Sequence, residues 1–271
     1  MQKTILTATR GWRMIDVKEF IQYKDLLYFL TIRSIKTKYA QSVLGVSWAI
    51  IQPLVTTIVF TIVFGRLAKV TTDGTPYIVF SFLALWPWNY FSGMLQESAN
   101  SLVSNANLIT KVYFPRVILP FAAVLSKLID FAIAFVVVVV LLVYHKIHIN
   151  YTVLFIPLLL LQLIMASIGI GLILSAMAIQ YRDVKYALVF LVQLLMYAAP
   201  VVYSTNAVPE NLQTYYAVNP MVGVIEGFRA GFTGKDMPWH WILPGMITSS
   251  ILFVFGLFYF KKMEKNFADV A

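Results

Sequence analysis

Long uncharged runs separated by short polar segments organise this chain. From Tyr39 to Gly65 there is no Asp, Glu, Lys or Arg. A helix crosses the hydrocarbon of a bilayer with about 20 mostly apolar residues. The pattern therefore predicts six spans: Gly45–Phe64, Gly74–Gln96, Ile118–Tyr144, Val153–Gln180, Tyr186–Tyr203 and Ile242–Phe260. The third ends in "FVVVVVLLVY", a β-branched run that would favour a strand in water. In lipid an unpaired strand leaves its backbone groups unsatisfied, so helix is expected there too.

Ahead of the first span, "RSIKTKYAQSVLGVSWAIIQPL" joins a basic half to an uncharged half. Ile32, Ile35, Tyr39, Val43 and Val46 fall on one face of a helix. The spacing predicts an amphipathic helix in the inner headgroup layer, running without a break into the first span. It either anchors the N-terminal region or carries motion from a cytoplasmic partner into the membrane. Between the last two spans, residues 204–241 are too apolar for a solvated linker, yet neither half is long enough to cross. Asn219-Pro220 is a helix-break signal, and a pair of short re-entrant or interfacial helices hinging there is expected.

Composition supports the membrane reading, since 60% of the 271 residues are hydrophobic and only 12% charged, against roughly a quarter charged in soluble domains. The expected fold class is an all-α integral membrane protein forming one transmembrane domain. Residues 1–44 make its N-terminal cytoplasmic or interfacial region, 45–260 the bundle and 261–271 a cytoplasmic tail. With both termini inside, sixteen of the 21 Lys and Arg fall on the cytoplasmic side, which sets that orientation. Residues 1–24 lack the apolar core of a cleaved signal. The chain has no cysteine, which removes disulfides and thiolate metal sites.

Most catalytic chemistries find no support. "GFRAGFTGKD" fails as a phosphate-binding loop, because Arg229 stands where the first Gly belongs and Asp236 where Ser or Thr does. The three histidines, His145, His148 and His240, lie at the outer edge without a ligand set. Within the spans, Lys127 and Asp130 stand three apart and can neutralise each other; a structural pair is favoured over a proton relay. Glu226 and Arg229 repeat the spacing and are expected to hold the hairpin together rather than touch substrate. Ser167, Gly171 and Ser175 form a small-residue face for close helix packing. This is the build of a transporter with no motor of its own, so catalytic and metal-binding residues are expected to be absent.

"KTKYAQSVLGVSWAIIQPL", "NLITKVYFPRVILP", "QYRDV" and "NPMVGVIEGFRAGF" occur in that order. Together they resemble the permease subunits of type-2 ABC transporters that export bacterial surface polysaccharide, including O-antigens, capsules and teichoic acids. The resemblance runs from about residue 20 to 262. It implies a homodimer in the inner membrane bound to two copies of a separate ATPase, which would hold ATP and Mg, with no cofactor in this chain. It also implies an undecaprenyl-diphosphate-linked glycan as cargo, and no nucleic acid.

Site expectations follow from placing the residues in that frame. The loop Glu97–Val117 would couple to the ATPase through Asn107, Lys111, Tyr113, Phe114, Pro115 and Arg116. Tyr113 and Phe114 form an expected exposed aromatic pair, suited to a protein cleft or to the headgroup layer alike. Arg182 and Asp183 form a lesser contact. Arg33, Lys36, Lys38 and Tyr39 would flank the substrate entrance, where the cations suit a lipid diphosphate or anionic lipid equally. Trp86, Trp88, Tyr90 and Phe91 are conduit candidates, because sugar C–H faces stack on rings; Trp239 and Trp241 are expected in the outer aromatic belt. The rivals are a type-2 ABC permease for a drug or small lipid, a lipid-carrier transferase and an ion-coupled exporter.

Overall fold

The computed structural model describes residues 17–40, 42–72 and 74–267. Arg10, Arg13 and Asp16 of the N-terminal region and the last four residues of the tail lie outside the described residues. Among the described residues every regular element is a helix. Two of these, α1 (Val17–Gln22) and α2 (Lys24–Tyr39), precede the first span, which is built from a 3-10 turn Gly45–Ser47, α3 (Trp48–Phe60) and a wide π-turn Thr61–Leu67. Then come α4 (Tyr77–Ser104), α5 (Ala106–Lys111), α6 (Ile118–Tyr144) and, after a 3-10 turn Tyr151–Phe155, α7 (Ile156–Gln180). The chain closes with α8 (Asp183–Tyr197), α9 (Glu210–Ala217), α10 (Pro220–Thr233) and α11 (Trp239–Met263).

The bundle is centred on α4, with 78% of its apolar window buried, against 11% for the first span. α6, α7, α10, α3 and α8 all pack on it, and α11 packs on α7. Small residues set the closest approaches, as bilayer helices without a hydrophobic drive between them require. A Cβ on Gly256 would lie 2.3 Å from the Gly169 carbonyl oxygen, so α7 and α11 touch backbone to backbone. Ser167, Gly171 and Ser175 are buried inside the subunit, and a Cβ on Gly171 would sit 2.9 Å from Ser98 Oγ of α4. That small-residue face packs within the chain.

Two expectations need correction. The helix does not run unbroken from Arg33 into the first span, for α2 ends at Tyr39, Ala40 is extended and Gly45 turns the chain at φ +50°. Val43 and Val46 thus leave the face shared by Ile32, Ile35 and Tyr39, and Val43 is fully exposed. Among the described residues five helices are long and apolar enough to cross a membrane, and they match five of the six expected spans. The fifth expected span stops after the 15 residues of α8, and residues 198–203 leave the helix. Pro200 explains the stop, because it lacks the N–H a helix would use and pushes the residue before it out of helical geometry.

That break frees carbonyls, and side chains satisfy them. Arg229 donates to the carbonyls of Val201 (3.1 Å), Tyr203 (3.4 Å) and Phe80 (3.2 Å). Tyr77 Oη donates to Val202 O at 2.9 Å and Asn219 Nδ2 to Ala198 O at 3.0 Å. Non-helical backbone at membrane depth is tolerated only when protein or a water-filled cavity covers it. Val201 and Val202 are buried.

Candidate functional site

Four charged side chains from three elements meet where α2 ends. Lys127 and Asp130 of α6 stand 3.5 Å apart, the pair expected from their spacing. The structure adds two partners. Lys127 also reaches Glu97 of α4 at 3.0 Å, and Lys38 of α2 pairs with Asp130 and approaches Glu97 at 3.9 Å. The Tyr39 hydroxyl donates to the second Asp130 oxygen. Two cations and two anions make the cluster neutral, which is how charges are kept inside a membrane bundle. Asp130 lies twelve residues into α6, about 18 Å along the axis at 1.5 Å per residue.

Burial lowers the pKa of the Lys38 ammonium, opposed by its hydrogen bond to Asp130. Burial raises that of the Tyr39 phenol, and the hydrogen bond to Asp130 pushes the same way. The cluster offers no activated nucleophile. Its chemistry is to tie the helix before the first span to α4 and α6.

A cavity of about 270 Å³ opens on one side of the cluster, lined by Lys38, Tyr39, Lys127 and Asp130 together with Trp48, Gln52, Trp86, Asn89, Tyr90 and Gln96. A second, of about 400 Å³, lies between α2, α4 and α6 and is lined by Arg33, Lys38, Glu97, Asn100 and Ser104 among others. The entrance candidates divide between them: Lys38 and Tyr39 join the cluster, Arg33 lines the second cavity, and Lys36 is exposed.

The four aromatic candidates of α4 are all buried. Trp86 stacks on Phe131 at 4.1 Å between ring centroids and donates its indole N–H to the Phe131 carbonyl at 2.9 Å. Such a stack contributes about 0.5–1.5 kcal/mol beyond its area. Trp86 and Tyr90 border the first cavity, and the buried Tyr90 hydroxyl has no hydrogen-bond partner among the described residues. Trp88 and Phe91 pack in the core, 5.8 Å apart by ring centroid. At the start of α11 Trp239 is partly exposed, while Trp241 is buried against Tyr216.

In the loop after α4, Asn107 and Lys111 are exposed on or at the end of α5. The expected aromatic pair is split: Tyr113 is 66% exposed, whereas Phe114 is buried, as is Pro115. Tyr113 Oη donates to Glu19 at 3.0 Å, and Arg116 donates through its backbone N–H to Glu264 Oε1 at 3.2 Å and through its guanidinium to Glu264 O at 2.5 Å. The N-terminal helix, this loop and the end of α11 therefore share one face of the bundle. Arg182 and Asp183 are exposed at the start of α8. The hinge candidates act together: Asn219 caps α10 by accepting from Met221 N at 3.1 Å, Pro220 fills its first position, and Glu226 pairs with Arg229 at 2.8 Å.

Sequence reasoning missed that Lys38 and Glu97 belong with Lys127 and Asp130. The one available signal was that Glu97 is the single acid in α4.

Charged and aromatic side chains line cavities in a helical bundle long and apolar enough to cross a membrane, and its class follows from likeness to known proteins. Residues 25–233 match the ABC-2 type transporter family, and the chain belongs to it. It is 28% identical to an O-antigen export system permease protein of Klebsiella pneumoniae, over 91% of this chain and 95% of that one. It is 29% identical to the Myxococcus xanthus O-antigen export system permease protein, over 82% and 85%. Similarity extends to a capsule polysaccharide export inner-membrane protein of Neisseria meningitidis, at 24% identity over 96% and 97%.

Proposed function

We propose that the chain is the membrane subunit of an ATP-driven exporter that carries surface polysaccharide of O-antigen or capsule type from the cytoplasm across the inner membrane. The observation that carries this reading is likeness to O-antigen and capsule export permeases over nearly their whole length. Two copies of the chain work with two copies of a separate ATPase, which holds ATP and Mg, and the glycan travels on an undecaprenyl-diphosphate lipid. Residues 1–271 form one permease domain. α8 with the buried segment after it serves as the fifth of six crossings, α2 lies at the inner interface, and α9 with α10 is the re-entrant pair.

Both termini face the cytoplasm, in line with the Lys and Arg distribution. The Arg116–Glu264 and Tyr113–Glu19 contacts support one common side for the coupling loop, α1 and the end of α11. On that face Asn107, Lys111, Tyr113 and Arg116 meet the ATPase, with Arg182 and Asp183 as a second contact. Arg33 and Lys36 stand at the substrate entrance, and Trp86 and Tyr90 face the path. A drug or small lipid would be the cargo on the rival reading, but likeness to O-antigen and capsule export permeases favours a polysaccharide. Deleting the gene and following polymer by surface and cytoplasmic glycan analysis tests this reading. Polymer trapped inside, released by a plasmid copy, is expected; unchanged surface polymer would overturn it.

A further inference from the structure

The surfaces of the spans differ in one respect. On α6 the exposed residues facing away from the bundle are apolar, among them Leu125, Ile129, Phe135, Val136, Val139 and Val140, as lipid requires. On α4, from Ser81 to Ser104, the exposed positions are Asn89, Gln96, Asn100 and Ser104, and every one is polar. Seven, four and four residues apart, they form a stripe close to the helix axis, about 22 Å long at 1.5 Å per residue. Asn89 and Gln96 make no side-chain hydrogen bond among the described residues; Asn100 donates to Gln96 O at 3.0 Å and keeps its amide oxygen free. Amides facing hydrocarbon without partners are costly, so this stripe does not face lipid.

Both cavities described above lie along it. The first borders Asn89 and Gln96, with Gln52 of α3 opposite; the second borders Asn100 and Ser104, and the charged cluster sits between the two. The stripe carries no net charge, and each amide both donates and accepts. A phosphate would demand cations and an acyl chain would demand apolar contacts, whereas a string of sugar hydroxyls is matched by neutral two-way groups.

Resting on the export reading, we infer that Asn89, Gln96 and Asn100 form a hydrophilic track that hydrogen-bonds the sugar units of the travelling glycan through the inner half of the membrane. Contacts of this kind are weak enough to exchange, so the chain is guided without being held.

The natural chain has no cysteine, so Asn89→Cys, Gln96→Cys, Asn100→Cys and the apolar-face control Ile129→Cys can each carry a single thiol. A membrane-impermeant maleimide is applied to inverted inner-membrane vesicles containing the permease and its ATPase. The three track positions are expected to label roughly tenfold faster than Ile129→Cys, given the cost of water in hydrocarbon, and soluble fragments of the exported polymer slow that labelling. Labelling no faster than the control would overturn the track, as would oxidative cross-linking of those positions between two copies in place of labelling. In the deletion strain, Gln96→Leu is expected to export roughly tenfold more slowly, the scale of one hydrogen bond. If the wild-type plasmid restores surface polymer and Gln96→Leu matches it, the track fails while the export reading stands. If the wild type restores none, the export reading itself fails.

Discussion

Lys38 and Asp130 are 92 positions apart in sequence and form an ion pair at the end of α2. Through it the segment preceding the first span is tied to the middle of α6, and through Glu97 to α4. A neutral set of four charges tolerates no single deletion well, because each loss strands an opposite charge.

Asp130→Asn is accordingly expected to lower stability by about 2 kcal/mol, below the range for fully buried pairs because Lys38 and Glu97 keep partial solvent contact. Lys38→Gln in the same chain should recover more than half of that loss. Thermal unfolding in detergent, arranged as a double-mutant cycle, measures both; additive losses would mean that the two residues do not interact.

Tyr39 gives the cluster a pH dependence. Burial and the bond to Asp130 raise its pKa, so the folded state keeps the phenol proton where the unfolded chain releases it. That contribution is complete below about pH 10, the unfolded value, and is lost as pH rises through the higher folded pKa. Melting temperatures of wild type and Tyr39→Phe should diverge near neutrality and converge at strongly alkaline pH. Parallel curves throughout would contradict the assignment.

Arg229→Ala removes the donor that three carbonyls share and leaves Glu226 unpaired, and a loss of about 3–5 kcal/mol is expected. Arg229→Lys should recover little, since an ammonium cannot present a planar fork to several acceptors. Limited proteolysis between Tyr197 and Glu210 reports the release directly.

Gly256→Ala places a methyl group against the Gly169 carbonyl and forces α7 and α11 apart, at about 1–3 kcal/mol. Gly74→Ala meets no neighbour and carries only the backbone cost of its positive φ, about 1 kcal/mol. Equal melting shifts for the two would argue against the backbone contact.

Tyr113→Ala and Phe114→Ala separate coupling from folding. The exposed Tyr113 is expected to lower ATPase co-purification and polymer export with a melting shift near zero. Phe114→Ala empties a core position and should cost about 3–5 kcal/mol. Intact assembly and export in Tyr113→Ala would remove that residue from the coupling surface.

Five spans were legible because uncharged runs of that length have one stable form in lipid; the third was predicted with the bounds it has, Ile118–Tyr144. The helix of the fifth was drawn too long because its apolar character continues past Pro200, while hydropathy is blind to backbone donors. Proline alone was no guide, since Pro53, Pro87 and Pro244 all sit inside helices. What distinguishes Pro200 is that Arg229, Tyr77 and Asn219 stand ready for the freed carbonyls, and they come from elsewhere in the chain. The Lys127–Asp130 and Glu226–Arg229 pairs could be read because they are local. Lys38, Glu97 and the burial of Phe114 depend on how distant segments cross, which no periodicity records.

Because Arg229 of α10 grips two other stretches of backbone at once, the start of α4, the unwound segment and α10 have no independent freedom at that end of the bundle. They must shift as one rigid piece or break several bonds together, so any movement there is set by where that piece pivots and not by the looseness of its parts.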